Sequence, residues 1–272
     1  MDLLLVDRVA FSIFGVDIYW YGVIITLAIL LDFILLIFMC KKKKYDSDMP
    51  YDLILFLVPL GIIGARLFSV IFEADLTILD FFAFRDGGMS IIGAIICGAG
   101  GMALYCLIKK KNFFDVADII VPLLILAQSI GRWGNFFNGE VYGQEIVDPA
   151  KMWFPFAVEI GGVWYQALFF YESVLNFIGF ILLISLFFIK KKPKGVMLAT
   201  YLVYYGTVRF LMEGLRQEEY ILRMGSLPIS KVLSGILLLA GVSIFVYIIV
   251  DYFKNKNKMR NEVDGKEKTS TN

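Results

Sequence analysis

Seven runs of predominantly apolar residues, at 19–40, 51–72, 90–108, 116–137, 164–189, 197–211 and 228–253, punctuate the sequence. A helix of about 20 such residues crosses a bilayer core of roughly 30 Å. Within that core each backbone N–H and C=O must be satisfied inside the segment, which a helix does and an open strand does not. The runs therefore predict an all-α polytopic membrane protein with about seven transmembrane helices. Composition agrees, because a chain of 272 residues that is 59% hydrophobic and 19% charged carries more apolar side chain than a soluble domain can bury. The sixth run is short and passes into charges at its far end.

The basic residues are clustered, and the clusters carry orientation. Residues 41–44 hold 4 Lys, 109–111 hold 3, 190–194 hold 4, and the tail from Lys254 holds 4 Lys and Arg by Arg260. With seven crossings these stretches share one side of the membrane, and the positive-inside rule makes it the cytoplasm, with the N-terminus outside and the C-terminus cytoplasmic. The N-terminus shows no basic lead with a small-residue cleavage site, so no cleaved signal is expected. Residues 1–253 then form one seven-helix transmembrane domain with its outer loops. Residues 254–272 form a polar cytoplasmic tail, expected to be disordered.

Two absences narrow the chemistry. There is no histidine, which removes every histidine base, histidine metal ligand and Ser-His or Cys-His device. Cys40, Cys97 and Cys106 form no spaced pair and read as small membrane-helix residues, with neither a disulfide nor a metal role. No cofactor is expected, and a net charge of +1 leaves no nucleic-acid footprint.

The topology brings Arg132, Asn135, Glu140, Glu172, Arg209, Glu213 and Arg216 to the outer half of the membrane or its outer loops. Ionisable groups are expensive there and mark a functional site by default. Gln128, Arg132 and Asn135 follow i, i+4, i+7 and share a helical face. An arginine fork flanked by amides suits a phosphate or carboxylate; a lone arginine could equally snorkel to headgroups, but Asn135, Asn138 and Glu140 among glycines are superfluous for anchoring. Tyr205, Arg209, Glu213 and Arg216 follow i, i+4, i+8, i+11. Glu213 can hold both arginines while two cations per carboxylate leave positive charge for an anionic ligand. Arg66 lies inside the second run. Tyr171, Glu172 and Asn176 form a polar stripe on the fifth, either a ligand wall or helix–helix glue. Asp32 faces the same way as Tyr21, as a buried partner or a protonated acid. The glycine-rich opening of the third run, with Ala94 and Gly98, reads as close helix packing.

These residues resemble the prolipoprotein diacylglyceryl transferases. GRWGNFFNGEVYG (131–143) is similar to that family's signature, GRxGNFxNxExxG, which closes on Gly143. VAFSIFGVDIYWYG (9–22), GARLF (64–68), DGGMS (86–90), YES (171–173) and VRFLMEGLR (208–216) match its other motifs in order. The resemblance implies transfer of the diacylglyceryl group of phosphatidylglycerol to the lipobox cysteine of a prolipoprotein, at the outer leaflet of a bacterial plasma membrane. It implies Arg132, Arg209, Glu140 and Tyr21 as catalytic residues, with Arg132, Asn135, Asn138, Gly143, Arg66, Glu213, Arg216 and Glu172 binding substrate. Two departures stand out. Family members read SxHGG at the third helix where this chain has SIIGA, with Ile92 in the histidine's place, and Gln166–Ala167 replaces a His-Pro pair before YES. Ile92 cannot accept a proton. An arginine-rich site can instead lower the thiol's pKa without a dedicated base, with Glu140 and a tyrosinate at Tyr21 as the lesser candidates for a base. Two readings compete: a diverged paralogue that binds phospholipid with another acceptor or no activity, and a seven-helix transporter or receptor. Against the last, Lys231 lies at the end of its run rather than mid-membrane, and no inverted repeat is evident.

Overall fold

A computed structural model describes residues 8–72, 81–82, 90–221, 223–224 and 227–270. Seven α-helices are found among them: α1 (Trp20–Lys43), α2 (Met49–Phe72), α3 (Ile91–Ile108), α4 (Phe113–Asn138), α5 (Leu168–Phe188), α6 (Val196–Met212) and α7 (Ile229–Ser270). All but α6 are long and apolar enough to cross a membrane by length and composition, as a polytopic all-α membrane protein requires. Helix α6 has 17 residues, about 26 Å at 1.5 Å per residue. It stops where Arg209 and Glu213 begin the polar end of the run.

Three antiparallel hairpins interrupt the helices: β1 (Val9–Ile13) with β2 (Val16–Tyr19), β3 (Ala157–Ile160) with β4 (Val163–Gln166), and β5 (Arg223–Met224) with β6 (Leu227–Pro228). The second corrects the fifth apolar run, whose first residues, 164–166, belong to β4 rather than to a helix. Ile160 pairs with Val163 across Gly161 and Gly162, at φ +59° and +83°. Left-handed backbone at both positions is what a two-residue type I′ turn demands, and glycine adopts it freely. Residues 143–146 add to the free edge of β4: the Gly143 and Ile146 amides donate to the Gln166 and Trp164 carbonyls at 3.0 and 2.7 Å, and the Gln166 amide donates to Gln144 at 3.0 Å.

The chain forms two compact units, one of Met1–Asp32 with Val121–Asn272 and one of Phe33–Ile120. In the second unit α2 packs on α3 through glycines. A Cβ on Gly93 would lie 2.1 Å from the Gly64 carbonyl oxygen, whereas one on Gly98 would meet nothing within 4 Å. The close approach expected of the third run is therefore made by Gly93, not Gly98. Arg66 is buried within α2 of this unit, and Ile92 is the second residue of α3. Of DGGMS only Ser90, which precedes α3, lies within the described residues. Two ion pairs fasten the loops at the other end, Lys109 to Asp52 at 2.7 Å and Lys111 to Asp46 at 2.5 Å. The hydrogen bond and charge of Lys111 hold Asp46 below the usual carboxylate range.

In the first unit, α5 packs on α6 and α6 on α7. A reciprocal serine pair joins α4 to α5: Ser129 Oγ donates to the Ser173 carbonyl at 2.7 Å, and Ser173 Oγ to the Ser129 carbonyl at 2.9 Å. The Trp133 indole donates to Ser173 Oγ at 3.1 Å. Each hydroxyl thus finds a partner without water, as a membrane interior requires. Helix α7 extends through the polar tail to Ser270, where disorder was expected; the Lys, Arg, Glu and Met of that stretch are good helix formers.

Candidate active site

The signature run is a helix ending. Its Asn-Gly-Glu places Asn138 at the end of α4 and Gly139 just beyond, at φ +64°. The Glu140 amide donates to the Asn135 carbonyl at 3.0 Å and the Gly139 amide to that of Phe136 at 3.1 Å. These are the two bonds of a Schellman cap, for which glycine supplies the left-handed residue. The cap turns the chain back so that Glu140 lies over the last turn of the helix. There Glu140 Oε1 accepts from Asn135 Nδ2 at 3.2 Å and from Asn138 Nδ2 at 3.1 Å.

Asn135 uses its other end as well. Its Oδ1 accepts from Arg132 Nη1 at 3.4 Å, so one amide links a cation to an anion. Tyr21, in the first turn of α1, stands near both Glu140 and Arg132. Its ring lies against Gly134, where a Cβ would come within 2.5 Å of it. Here glycine is needed for space rather than for conformation.

Glu172 of α5 is the hub of the charged cluster. Buried at 3% exposure, it pairs with Arg132 Nη2, with Arg209 Nη1 at 3.3 Å and with Arg216 Nη2 at 3.4 Å. Glu213, 1% exposed, lies 3.3 Å from Arg209 Nη2 and 3.4 Å from Arg216 Nε. Neither of its oxygens has a hydrogen-bond partner among the described residues. Glu213 was expected to hold both arginines; the structure gives the hydrogen-bonded share of that work to Glu172. The expected single helical face is also modified. Helix α6 ends at Met212, residues Glu213–Leu215 tighten into a 3-10 turn, and Arg216 is extended. The tightening still brings Arg216 into the cluster. Burial, and then the charge of Arg209, push Arg216 below the ordinary arginine range, though it stays cationic at neutral pH.

Three guanidinium groups against two carboxylates leave one formal positive charge in a buried site. An isolated buried charge is costly, and a bound anion relieves that cost. Gly143 and Arg216 form an antiparallel bridge that ties the end of the signature to the arginine cluster. A Cβ on Gly143 would stand 2.7 Å from Gln166 Cβ and 2.8 Å from its Oε1, which accounts for glycine there. Gln166 leaves its buried Oε1 without a hydrogen-bond partner among the described residues. Arg66 belongs to the other unit. Sequence reasoning missed Ser230 of α7, whose Oγ accepts from Arg209 Nη2 at 3.1 Å; no spacing pattern signals it, because the contact is between helices.

With this geometry in hand, comparison with known proteins is direct. The family described as prolipoprotein diacylglyceryl transferase matches residues 8–247. A phosphatidylglycerol–prolipoprotein diacylglyceryl transferase of Finegoldia magna is 40% identical over 241 residues, covering 87% of this chain and 93% of the relative. Its counterpart in Clostridium kluyveri is 37% identical over 249 residues, covering 89% and 96%. A Clostridium perfringens protein of that name, numbered 1, is 37% identical over 259 residues, covering 93% and 98%. A match across nearly the whole chain, over the residues that build the charged cluster and its Schellman cap, places this multi-pass membrane protein in one family: the chain belongs to the prolipoprotein diacylglyceryl transferases.

Proposed function

We propose that this protein transfers the diacylglyceryl group of phosphatidylglycerol to the lipobox cysteine of a prolipoprotein, at the outer leaflet of the bacterial plasma membrane. The transferase activity follows from the family and from the names of relatives covered almost end to end. One observation carries the assignment of residues: a buried cluster with one positive charge to spare, joined through Asn135 to the carboxylate of Glu140. Orientation rests on the lysine-rich stretches, with α6 as the seventh crossing. It sets the ends of α4, α5 and α6 that bear the cluster on the outer side.

On this reading the phosphodiester lies against Arg132 and Arg209, with Arg216 behind them and Glu172 and Glu213 holding the three in place. A groove of about 760 Å³ beside α4, walled by Ile24, Leu126, Trp133, Phe170 and Phe177, offers the donor's hydrocarbon an apolar surface. The thiol proton passes to Glu140. Sulfur forms a bond to the glyceryl carbon that carries the phosphate, the C–O bond to that phosphate breaks, and its electron pair leaves with glycerol phosphate. Charge grows on the leaving oxygen, and pre-oriented guanidinium donors in a site of reduced dielectric stabilise it more than water can. Glu140 takes the part that a histidine plays elsewhere in the family, because Ile92 and Gln166 cannot accept a proton; Tyr21 supports it from across Gly134.

The test is direct. Purified protein, phosphatidylglycerol labelled in its acyl chains and a lipobox peptide should yield peptide-linked label. Arg132→Ala and Arg209→Ala should each lower turnover by about 10²–10³-fold, while Cys97→Ala should leave it unchanged. Full activity in either arginine variant refutes the clamp. Lipid binding by the native protein without transfer favours the diverged paralogue, the reading to which the absence of both histidines points.

A further inference from the structure

A cavity of about 300 Å³ has Asn135, Asn138 and Glu140 in its wall and none of the three clustered arginines. Its remaining charged group is Arg8, and Val158, Ile160 and Phe169 supply apolar wall. The difference in charge from the neighbouring cluster is decisive. Arg8 and Glu140 cancel, whereas the cluster keeps one positive charge unmatched. A phosphodiester therefore has no electrostatic reason to enter the cavity. A neutral group with a polar edge and an apolar side does.

Glu140 stands between the two spaces. Its Oε1 takes both asparagine amides, and its carboxylate also lines the cavity. A weak donor arriving from the cavity, such as an S–H, meets a carboxylate that Asn135 links to Arg132. The cavity is also bounded by hairpin β3–β4, whose Val158 and Ile160 form part of its wall, and by the start of α5 at Phe169. A peptide can present backbone carbonyls to Arg8 and Asn138 while a small apolar side chain packs against the apolar wall.

We infer that this cavity is the acceptor subsite: it seats the peptide segment that bears the thiol, and the side chain next to the cysteine rests on Val158, Ile160 and Phe169. The inference rests on the transferase reading above and divides its site into a donor half and an acceptor half. Ile160→Trp narrows the cavity without touching the arginine cluster. Initial rates with donor lipid and acceptor peptide varied separately should show KM for the peptide rising by at least about tenfold, the scale on which a filled apolar pocket discriminates. KM for phosphatidylglycerol should stay within about twofold of the native value. A rise confined to the lipid, or no change in either, overturns the subsite.

A second measurement needs no altered enzyme. A lipobox peptide with serine for cysteine and a photoreactive diazirine side chain beside it is irradiated on the native protein, and the adduct is mapped by mass spectrometry. Adducts within 135–142 or 157–161 support the assignment, and adducts confined elsewhere overturn it. Transfer by the native enzyme is the control: its failure removes the transferase reading itself, whereas transfer with misplaced adducts removes only the subsite.

Discussion

Replacing Glu172 by glutamine keeps the side chain's shape and removes the charge that all three arginines share. In the native cluster three cations face two carboxylates; in the variant Arg209 and Arg216 keep only Glu213, and Arg132 loses the carboxylate it pairs with. Removing one partner from a buried ion pair costs about 3–5 kcal/mol. Glutamine still offers a carbonyl acceptor, so the expected loss is near the lower end, about 3 kcal/mol. For a chain of this size each kcal/mol moves the unfolding midpoint by about 2–4 °C, giving a fall of about 6–12 °C. The measurement is thermal unfolding in a neutral detergent, with and without added phospholipid. If the surplus positive charge is the binding determinant, phosphatidylglycerol should raise the midpoint of Glu172→Gln more than that of the native protein, and a zwitterionic phospholipid should not. A native midpoint for the variant, or equal rescue by both lipids, would refute the view of Glu172 as the shared counter-ion.

Other outcomes follow from single contacts. Gly143→Ala should lower the unfolding midpoint by the equivalent of about 1–3 kcal/mol, the usual cost of overpacking, since the new methyl meets Gln166; adding Gln166→Gly should recover part of the loss. Ser173→Ala strips the Trp133 indole of its acceptor, and an unsatisfied buried donor costs about 1–3 kcal/mol; calorimetry in detergent should show it, and no change would mean the serine pair carries nothing. Ser230→Ala should lower kcat by about tenfold, the worth of a hydrogen bond to a charged group. There KM for the lipid should change little and Ser230→Thr should restore the rate, because the hydroxyl orients Arg209 without drawing on its charge.

Much of this was legible in the residues, for identifiable reasons. Gln128, Arg132 and Asn135 could be set on one face because α4 continues unbroken to Asn138. The six long helices announced themselves through apolar length alone. The Asn-Gly-Glu that shapes the signature was also readable as a helix stop, yet its effect, Glu140 folded back onto two asparagines, depends on side chains that only coordinates join. Glu172 looked like one polar residue among several on α5. Its rank as hub comes from three arginines, on α4, on α6 and in the extended segment after α6, a tertiary fact with no periodicity. The misplaced start of α5 had a local cause: Trp164 and Tyr165 are apolar enough to pass for helix, and the Gly161–Gly162 turn that makes them part of a strand lies outside the apolar run.

The uneven count of charges around Glu172 has a consequence for the end of the catalytic cycle. A diester donor brings one negative charge, and the glycerol phosphate that departs carries close to two at neutral pH, since the second ionisation of a phosphate monoester falls near pH 6. On the proposed reading a site that gains affinity as charge builds on the leaving oxygen holds its product more tightly than its substrate. Product escape, rather than carbon–sulfur bond formation, then sets the pace, and mild acidity that returns a proton to the phosphate loosens the grip.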